Sequence, residues 1–398
     1  MATGKSIFPK PIYLGSAVRT PIGKFGGSLK RFSAGELAAQ TLKECWNRTD
    51  PSARDADWVF LGHARQAGAR PNPARQAAIF AGLGDQVSAI TVNQACASGL
   101  ASVINAAEKI ALNRTKSIYA GGVESMSNTP YFLMQGRWGL RMGHTEILDG
   151  MTQDGFFCPM ANMLMGATVE EFIAKELKIT REAQDQFALE SQQKAERAWK
   201  SGQFAAETFE IFANEKGEKI SVLKDDEHRR GQTTLESLAK LPPVFDKSHG
   251  SVTAGNSSGI TDGSSFLHVS DRVLSSSQVE LLDYESVAID PKRMGLAPIP
   301  ATQKLLARQG LALDAMEAIE LNEAFAAQVL ACQRELKIPN EKLNNRGGAI
   351  AIGHPIGATG TRILTTLIHQ IKGKPGALGL ATLCVSGGQG VSLLVRAL

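Results

Sequence analysis

Strand and helix patterns alternate through the first 125 residues and again from about Leu281, a rhythm that confines the chain to a helix-covered sheet. "SAGELAAQTLKECW" opens with Ser33 and Glu36 at capping-box spacing and continues as an amphipathic helix. "VSAITVNQ" is a short β-branched run that reads as a strand. "ASGLASVINAAEKIAL", from Ala97, carries an apolar helical face, and "SIYAGGV" is a strand running into glycines. In the second stretch "AIELNEAFAAQVLACQREL" reads as a strand end followed by a helix, and "ALGLATLC" and "GVSLLVRAL" as buried strands. This order predicts a largely parallel sheet with helices on its faces.

From about Ser127 to Ser258 the character changes. Met, Gly, Trp and charge mix without strand rhythm up to Met165. "EEFIAKELKITREAQDQFALESQQKAERAWKSGQF" is a long helical region in which Thr180 caps a second helix, and a polar stretch follows it. The block reads as an insertion on the αβ framework, a lid or loop domain. A weak repeat joins the flanking parts. "CASGLA" at 96–101 resembles "GATGTR" at 357–362, each leading through a helix and a strand to a glycine pair, Gly121-Gly122 and Gly387-Gly388. Repeats of small residues this short arise easily by chance, so alone they do not establish a duplication.

The 398 residues suffice for two or more domains or one large duplicated unit. Lys and Arg are scattered and the formal net charge is +4, which argues against nucleic acid and suits a small anionic ligand. The five cysteines, at 45, 96, 158, 332 and 384, fit neither a zinc site nor a disulfide framework. They predict a reduced, cytoplasmic protein. No apolar stretch reaches the ~18 residues of a membrane span, and the N-terminus lacks a signal core. A soluble protein without targeting segment or metal is expected.

Four signals that can carry chemistry stand at strand–helix junctions. Cys96 in "NQACASGLASV" meets the positive end of a helix, which predicts a lowered thiol pKa and backbone N–H groups beside any carbonyl it attacks. Its alternative is a small buried hydrophobe. His354 in "IGHPIGATG" is either a hydrogen-bonder in a glycine turn or a proton acceptor for a thiol. Cys384 in "ATLCVSGGQG" is either core or a thiol facing a second set of N–H groups. Asn322 and Glu323 in "ELNEAFAAQ" suit helix capping as well as a site. Ligands bind at the carboxyl ends of strands in such sheets, so all four can converge on one pocket.

Taken together, "NQACASGLASV", "GGVESMSNTPY", "HGSVTAGNSSGITDG", "ELNEAFAAQ", "NNRGGAIAIGHPIGATGTR" and "CVSGGQG" resemble the thiolases, in the family's order and over essentially the whole chain. The resemblance implies an α/β thiolase-like duplicated αβαβα five-layer fold. Residues 1–126, completed by about 261–280, form one half; 127–260 form an inserted loop domain that binds CoA; 281–398 form the second half. It implies reversible thiolysis of 3-ketoacyl-CoA, or Claisen condensation, through an acyl-cysteine. Cys96 is then acylated, His354 activates it and Cys384 is the second acid/base. Asn322 holds a water that forms one oxyanion hole with His354, and the N–H groups of Cys96 and Ser386 form the other. Arg230, Ser237 and Ser258 match CoA-contacting positions. No tightly bound cofactor is implied; CoA, acetyl-CoA and acyl-CoA are substrates, and the partner is a second copy, as dimer or tetramer.

Three departures from the family pattern bear on substrate. Ser386 stands where many members have Gly, and Leu164 where short-chain members have His. "QDGFFCPMANM" is about five residues longer than in those members; Cys158 within it reads as structural. "GRWGLRMGH" at 136–144 falls where thiolases often carry a loop joining two dimers. The rival readings are a 3-ketoacyl-synthase-like condensing enzyme, a non-catalytic thiolase-like subunit and a papain-like hydrolase. Cys384 discriminates against the first and last, which use no second reactive cysteine there.

Overall fold

The computed structural model describes residues 4–54, 56–215 and 217–398. Ten strands form one sheet: β1 (Tyr13–Arg19), β2 (Gly23–Lys24), β3 (Trp58–Gly62), β4 (Ser88–Val92), β5 (Ser117–Ser125), β6 (Thr261–Ser270), β7 (Ser277–Ala288), β8 (Met316–Leu321), β9 (Leu378–Val385) and β10 (Gln389–Ala397). Their order is β8-β9-β10-β7-β1-β6-β5-β3-β4, with β2 paired on β6. Among the described residues, seven α-helices of eight or more residues pack around them: α1 (Ala34–Arg48), α2 (Pro73–Phe80), α3 (Ser98–Ala111), α4 (Arg181–Lys200), α5 (Pro298–Gln309), α6 (Ala326–Leu336) and α7 (Ile356–Ile371).

The pairings repeat. From β1 outward the chain pairs antiparallel to β6, antiparallel to β5 and parallel to β3. From β7 outward it pairs antiparallel to β10, antiparallel to β9 and parallel to β8. The two half-sheets enclose α3 and α7. Leu100 and Ile104 of α3 pack with Ile363 and Leu367 of α7, Ile118 and Ala120 of β5, and Val391 and Leu393 of β10. α1 and α2 cover the outer face of the first half, where Leu37, Leu42 and Ala77 meet Val59, Tyr119 and Phe266. α5 and α6 cover the second, where Leu305 and Val329 meet Ile319 and Leu394. β5 alternates, Ile118 and Ala120 facing inward and Tyr119 and Val123 outward, as a strand between two cores must. The layers are αβαβα.

α7 is buried at every position but Gln370, as a helix between two sheets has to be. It crosses α3 at the two glycines of the short repeat. A Cβ on Gly360 would lie 2.4 Å from the Leu100 nitrogen, and one on Gly99 would lie 2.6 Å from the Thr361 nitrogen. Both neighbours are backbone and cannot yield cheaply. Gly360→Ala is therefore expected to destabilise the chain by about 1–3 kcal/mol, read by denaturant unfolding; an unchanged midpoint would contradict this crossing.

The capping box of Ser33 with Glu36 and the cap of Thr180 on Ala183 stand as expected. Three expectations need correction. The sheet is mixed, and only β3–β4, β3–β5 and β8–β9 are parallel. The cause is β1, β6, β7 and β10, which pair antiparallel with their neighbours. β6, "TDGSSFLHVS", is buried throughout although its Ser, Thr, Asp and Gly are poor strand formers. Most of its polar groups find partners from distant parts of the chain: Asp262 accepts the Ser127 N–H at 2.9 Å, and the Ser265 hydroxyl donates to the Val18 carbonyl at 3.0 Å, while the Ser264 hydroxyl is buried without a partner among the described residues. The polar stretch of the insertion holds a hairpin, Ile211–Glu215 with Glu218–Leu223. The glycine pairs are not equivalent either: Gly121-Gly122 lie inside β5, whereas Gly387-Gly388 turn β9 into β10.

Candidate active site

Cys96 sits in the turn between β4 and α3. Ala95 before it is left-handed at φ 46. The turn is clamped by the Asn93 side chain, which accepts the Ala95 N–H at 2.9 Å, and by the Ser98 hydroxyl, which donates to the Ala95 carbonyl at 2.7 Å and accepts from Gln94 N–H at 2.9 Å. Cys96 thus lies at a helix mouth, as its sequence position predicts. Its thiol is not acidified, however. Burial pushes the pKa up to about 11, outweighing the opposing Ser386 N–H, the Arg65 charge and its own N–H. The resting group is a thiol that needs a base.

His354 is buried, its N–H bonded to the Gly259 carbonyl at 3.2 Å. Its Nδ1 lies 2.6 Å from the Thr359 hydroxyl, which donates its one proton to the Pro355 carbonyl at 2.9 Å. That hydroxyl must accept from Nδ1–H, which assigns a bare lone pair to Nε2. Burial, with Arg362 and Arg65 next, holds the imidazole pKa down at about 3. The ring is a neutral base at any physiological pH.

Cys384 is the penultimate residue of β9 and fully buried. Burial first, then the neighbouring Cys96 and Cys332, hold its thiol well above the usual range. Gly387 and Gly388 turn the chain at φ 84 and 83, and Ser386 just ahead of them aims its N–H at the Cys96 sulfur. Asn322 follows β8, and its backbone N–H donates to the Thr382 carbonyl at 3.0 Å. Both polar atoms of its carboxamide are buried without a partner among the described residues. Capping does not explain it, because α6 begins only at Ala326 with Phe325 as its N-cap. Glu323 does not cap either. It accepts from Ser191 Oγ at 2.7 Å, Ile350 N–H at 3.1 Å and Asn344 Nδ2 at 2.9 Å, bracing the segment that leads to His354.

Arg230 and Ser237 line one cavity of about 520 Å³ together with His228, Leu238, Gly255 and Ile350. The Arg230 N–H is fixed by Gln192 Oε1 at 2.9 Å, and Ser237 completes a capping box with Thr234. Ser258 is not on that wall. Its N–H bonds the Ala324 carbonyl at 3.0 Å, which ties the "TAGNSSG" loop to "ELNEAF" on the catalytic side. Cys158 is buried in a small hairpin, Phe157–Cys158 with Met163–Leu164, while Leu164 is 37% exposed. All five cysteines are unpaired. Among the described residues no three His, Cys, Asp or Glu side chains gather as a metal site.

Sequence reasoning missed three buried groups beside Cys96. The Glu124 carboxylate lies 3.1 Å from His63 Nε2 and accepts Arg65 N–H at 3.2 Å, Ala64 N–H at 3.3 Å and Gly357 N–H at 2.8 Å. Burial opposes its ionisation, but His63, the Gly357 N–H and Arg65 prevail and its pKa is lowered. It joins the loop after β3 to the start of α7. The signal was a charged residue at the end of an apolar strand, "SIYAGGVES", which has to be paired if buried.

A duplicated αβαβα fold with two thiols, a neutral imidazole and an unpartnered carboxamide at strand–helix junctions defines an acyl-transfer enzyme. The models of the thiolase N-terminal and C-terminal domains match residues 12–272 and 276–397, and the chain belongs to the thiolase family. It is 44% identical to an acetyl-CoA acetyltransferase of Escherichia coli over 96% of this chain and 98% of that one. It is 43% identical to an acetyl-CoA acetyltransferase of Cupriavidus necator, again over 96% and 98%. The crystal structure of the Bacillus anthracis acetyl-CoA acetyltransferase superposes with TM-score 0.92 at 39% identity over the whole of both chains. Human mitochondrial 3-ketoacyl-CoA thiolase superposes with TM-score 0.91 at 34% identity over 98% of this chain and 99% of that one. These likenesses favour the thiolase reading over the condensing-enzyme alternative.

Proposed function

We propose that the chain cleaves 3-ketoacyl-CoA with CoA, and runs the reverse condensation of acetyl-CoA with acyl-CoA, through an acyl-Cys96 intermediate. The observation that carries the reading is the pair of buried thiols, Cys96 and Cys384, close enough that the first raises the pKa of the second, with the Ser386 N–H aimed at the first. A hydrolase needs only one of them.

In thiolysis His354 Nε2 takes the Cys96 proton as the sulfur attacks the keto carbon. The Cα–Cβ bond breaks, and acetyl-CoA leaves as an enolate that Cys384 protonates. The enolate oxygen is held by His354, now carrying a proton on Nε2, and by a water on Asn322. Cys384 then deprotonates CoA, whose thiolate attacks acyl-Cys96, with the N–H groups of Cys96 and Ser386 on the carbonyl oxygen; the acyl–Cys96 bond breaks, acyl-CoA leaves, and the Cys96 thiolate takes back the proton held on His354 Nε2. CoA lies on the 127–260 insertion, its phosphates toward Arg230 and its pantetheine running past Ser237 and Ser258 toward Cys96.

We further place the chain in a homo-oligomer, dimer or tetramer. β4 pairs on one side only, and its Ile90 is 42% exposed. The hairpin Tyr131–Phe132 with Leu148–Asp149 carries a loop whose Trp138 is 82% exposed. The unpaired cysteines suit a cytoplasmic enzyme of fatty acid metabolism.

Because His354 is neutral above about pH 3 and Cys96 is a thiol below about 11, both start in the reactive form across the intervening range. The rate of Cys96 acylation is expected to be level from about pH 5 to about pH 9; a tenfold fall per unit below neutrality would contradict the assignment. The function itself is tested by cleavage of short, medium and long 3-ketoacyl-CoA esters, followed by loss of enolate absorbance. CoA-dependent cleavage is expected, and the preferred length reads the effect of Leu164. No cleavage at any length would overturn the reading.

A further inference from the structure

Arg65 is buried, 4% exposed; Phe156, on which it stacks, packs against the core cluster that contains Cys96, and the arginine's charge acts on that thiol. No carboxylate among the described residues comes within ion-pair distance of its guanidinium. Among the described residues only Nη1 finds a hydrogen-bond partner, donating to the Asp154 carbonyl at 2.8 Å, while Nε and Nη2 are buried without one. The guanidinium stacks over Phe156 at 4.7 Å. Between these contacts, a Cβ on Gly155 would lie 1.2 Å from Nη1, so the segment Asp154–Phe156 lies directly on the arginine. This is the segment that is longer here than in short-chain members of the family.

A buried cation without an ion pair costs stability. Its charge is set against four groups: Glu124 from the end of β5, Cys96 from the mouth of α3, and Asp154 and Asp149 from the insertion. Glu124 is already occupied by three backbone N–H groups and His63, so the Arg65 charge is only partly offset. The groups that act most on Cys96 are the Ser386 N–H, Arg65, its own N–H and Glu124. Arg65 is the single fixed positive charge among them.

We propose that Arg65 is a positioning residue of the acylation step: it pins the Asp154–Phe156 wall beside Cys96 and supplies the fixed positive charge that favours the attacking thiolate. The inference rests on the thiolase reading for its meaning, but its first test does not need turnover.

That test is the pH dependence of Cys96 alkylation by iodoacetamide in the full chain, located by peptide mass mapping. Arg65→Met removes a favourable charge, so the thiolate forms at higher pH and the profile is expected to move up by at least about half a unit. Arg65→Lys keeps the charge but not the planar stack or the fixed donor, so its profile is expected to stay at the wild-type position. The second readout is relative kcat/KM over short, medium and long 3-ketoacyl-CoA esters, which is expected to change in both variants because the wall is released in both. Wild-type alkylation and wild-type length preference in Arg65→Met would overturn the proposal. If Arg65→Met fails to fold, Arg65→Lys decides alone. An unmoved pH profile with an altered length preference supports the proposal; a shifted profile, or no change in either readout, overturns it. A wild-type chain that cleaves no ester refutes the thiolase reading and leaves the alkylation shift to be judged by itself.

Discussion

Cys96→Ser is expected to abolish thiolysis, with a loss on the order of ten-thousand-fold or more, while CoA binding stays near wild type. The size follows from the base. His354 is held at about 3, so it takes a proton only as the nucleophile attacks. A serine hydroxyl is a far weaker acid than a thiol and a poorer nucleophile, so the same weak base cannot activate it. CoA binding survives because the cavity of Arg230 and Ser237 does not include residue 96. Turnover by the variant within tenfold of wild type would remove Cys96 as the nucleophile.

The second large effect separates the two thiols. Cys384→Ala is expected to accept an acyl group on Cys96 from acyl-CoA, yet to exchange the α-protons of acetyl-CoA about 10²- to 10⁴-fold more slowly. The substitution leaves Cys96, His354 and the Ser386 backbone in place, so Cys96 still accepts the acyl group, more slowly because the CoA thiolate then leaves without the Cys384 proton. The α-proton transfer, by contrast, loses the group that performs it. Burial and its neighbours hold Cys384 far above the usual cysteine range, so as a thiolate it is a strong base, as a weakly acidic α-proton requires. Deuterium exchange into acetyl-CoA, followed by NMR, measures this directly. Exchange at the wild-type rate would take Cys384 out of the role.

The elements that place the site were legible because each is locally marked. β4 and α3 around Cys96, β8 before Asn322 and β9 before Cys384 all have apolar runs ending in small or polar residues. The centre of the sheet was not legible. β6 lacks a strand pattern in its Ser, Thr, Asp and Gly, and its burial depends on partners such as Val18 and Ser127 that lie more than a hundred residues away. Without β6, β1 and β7, and with the tight turn joining β9 to β10 not read as an antiparallel pair, the alternation looks parallel, which is why the mixed sheet was missed. The short repeat did carry real information, since Gly99 and Gly360 are where the two central helices touch.

At the site, residue types were easier to read than their electrostatics. A helix mouth predicts an acidified Cys96, but full burial is the larger effect and reverses the sign. Asn322 could be told from a cap only once α6 was seen to begin at Ala326. Arg65 and His63 gave no local pattern, and Glu124 at the end of its apolar strand named no partner, because their meaning lies in contacts among the loop after β3, the end of β5 and the start of α7. Ser258 and Arg230 both match family positions, yet they face different parts of the proposed CoA path.

The most direct test of the whole account is to mix the wild-type chain with acetyl-CoA in the absence of free CoA, quench, and map the acetyl group by peptide mass. The account predicts one acetyl group, on the peptide carrying Cys96, discharged when CoA is added. An acetyl group on Cys384 or another residue, or none at all from a chain that still cleaves 3-ketoacyl-CoA, would contradict it.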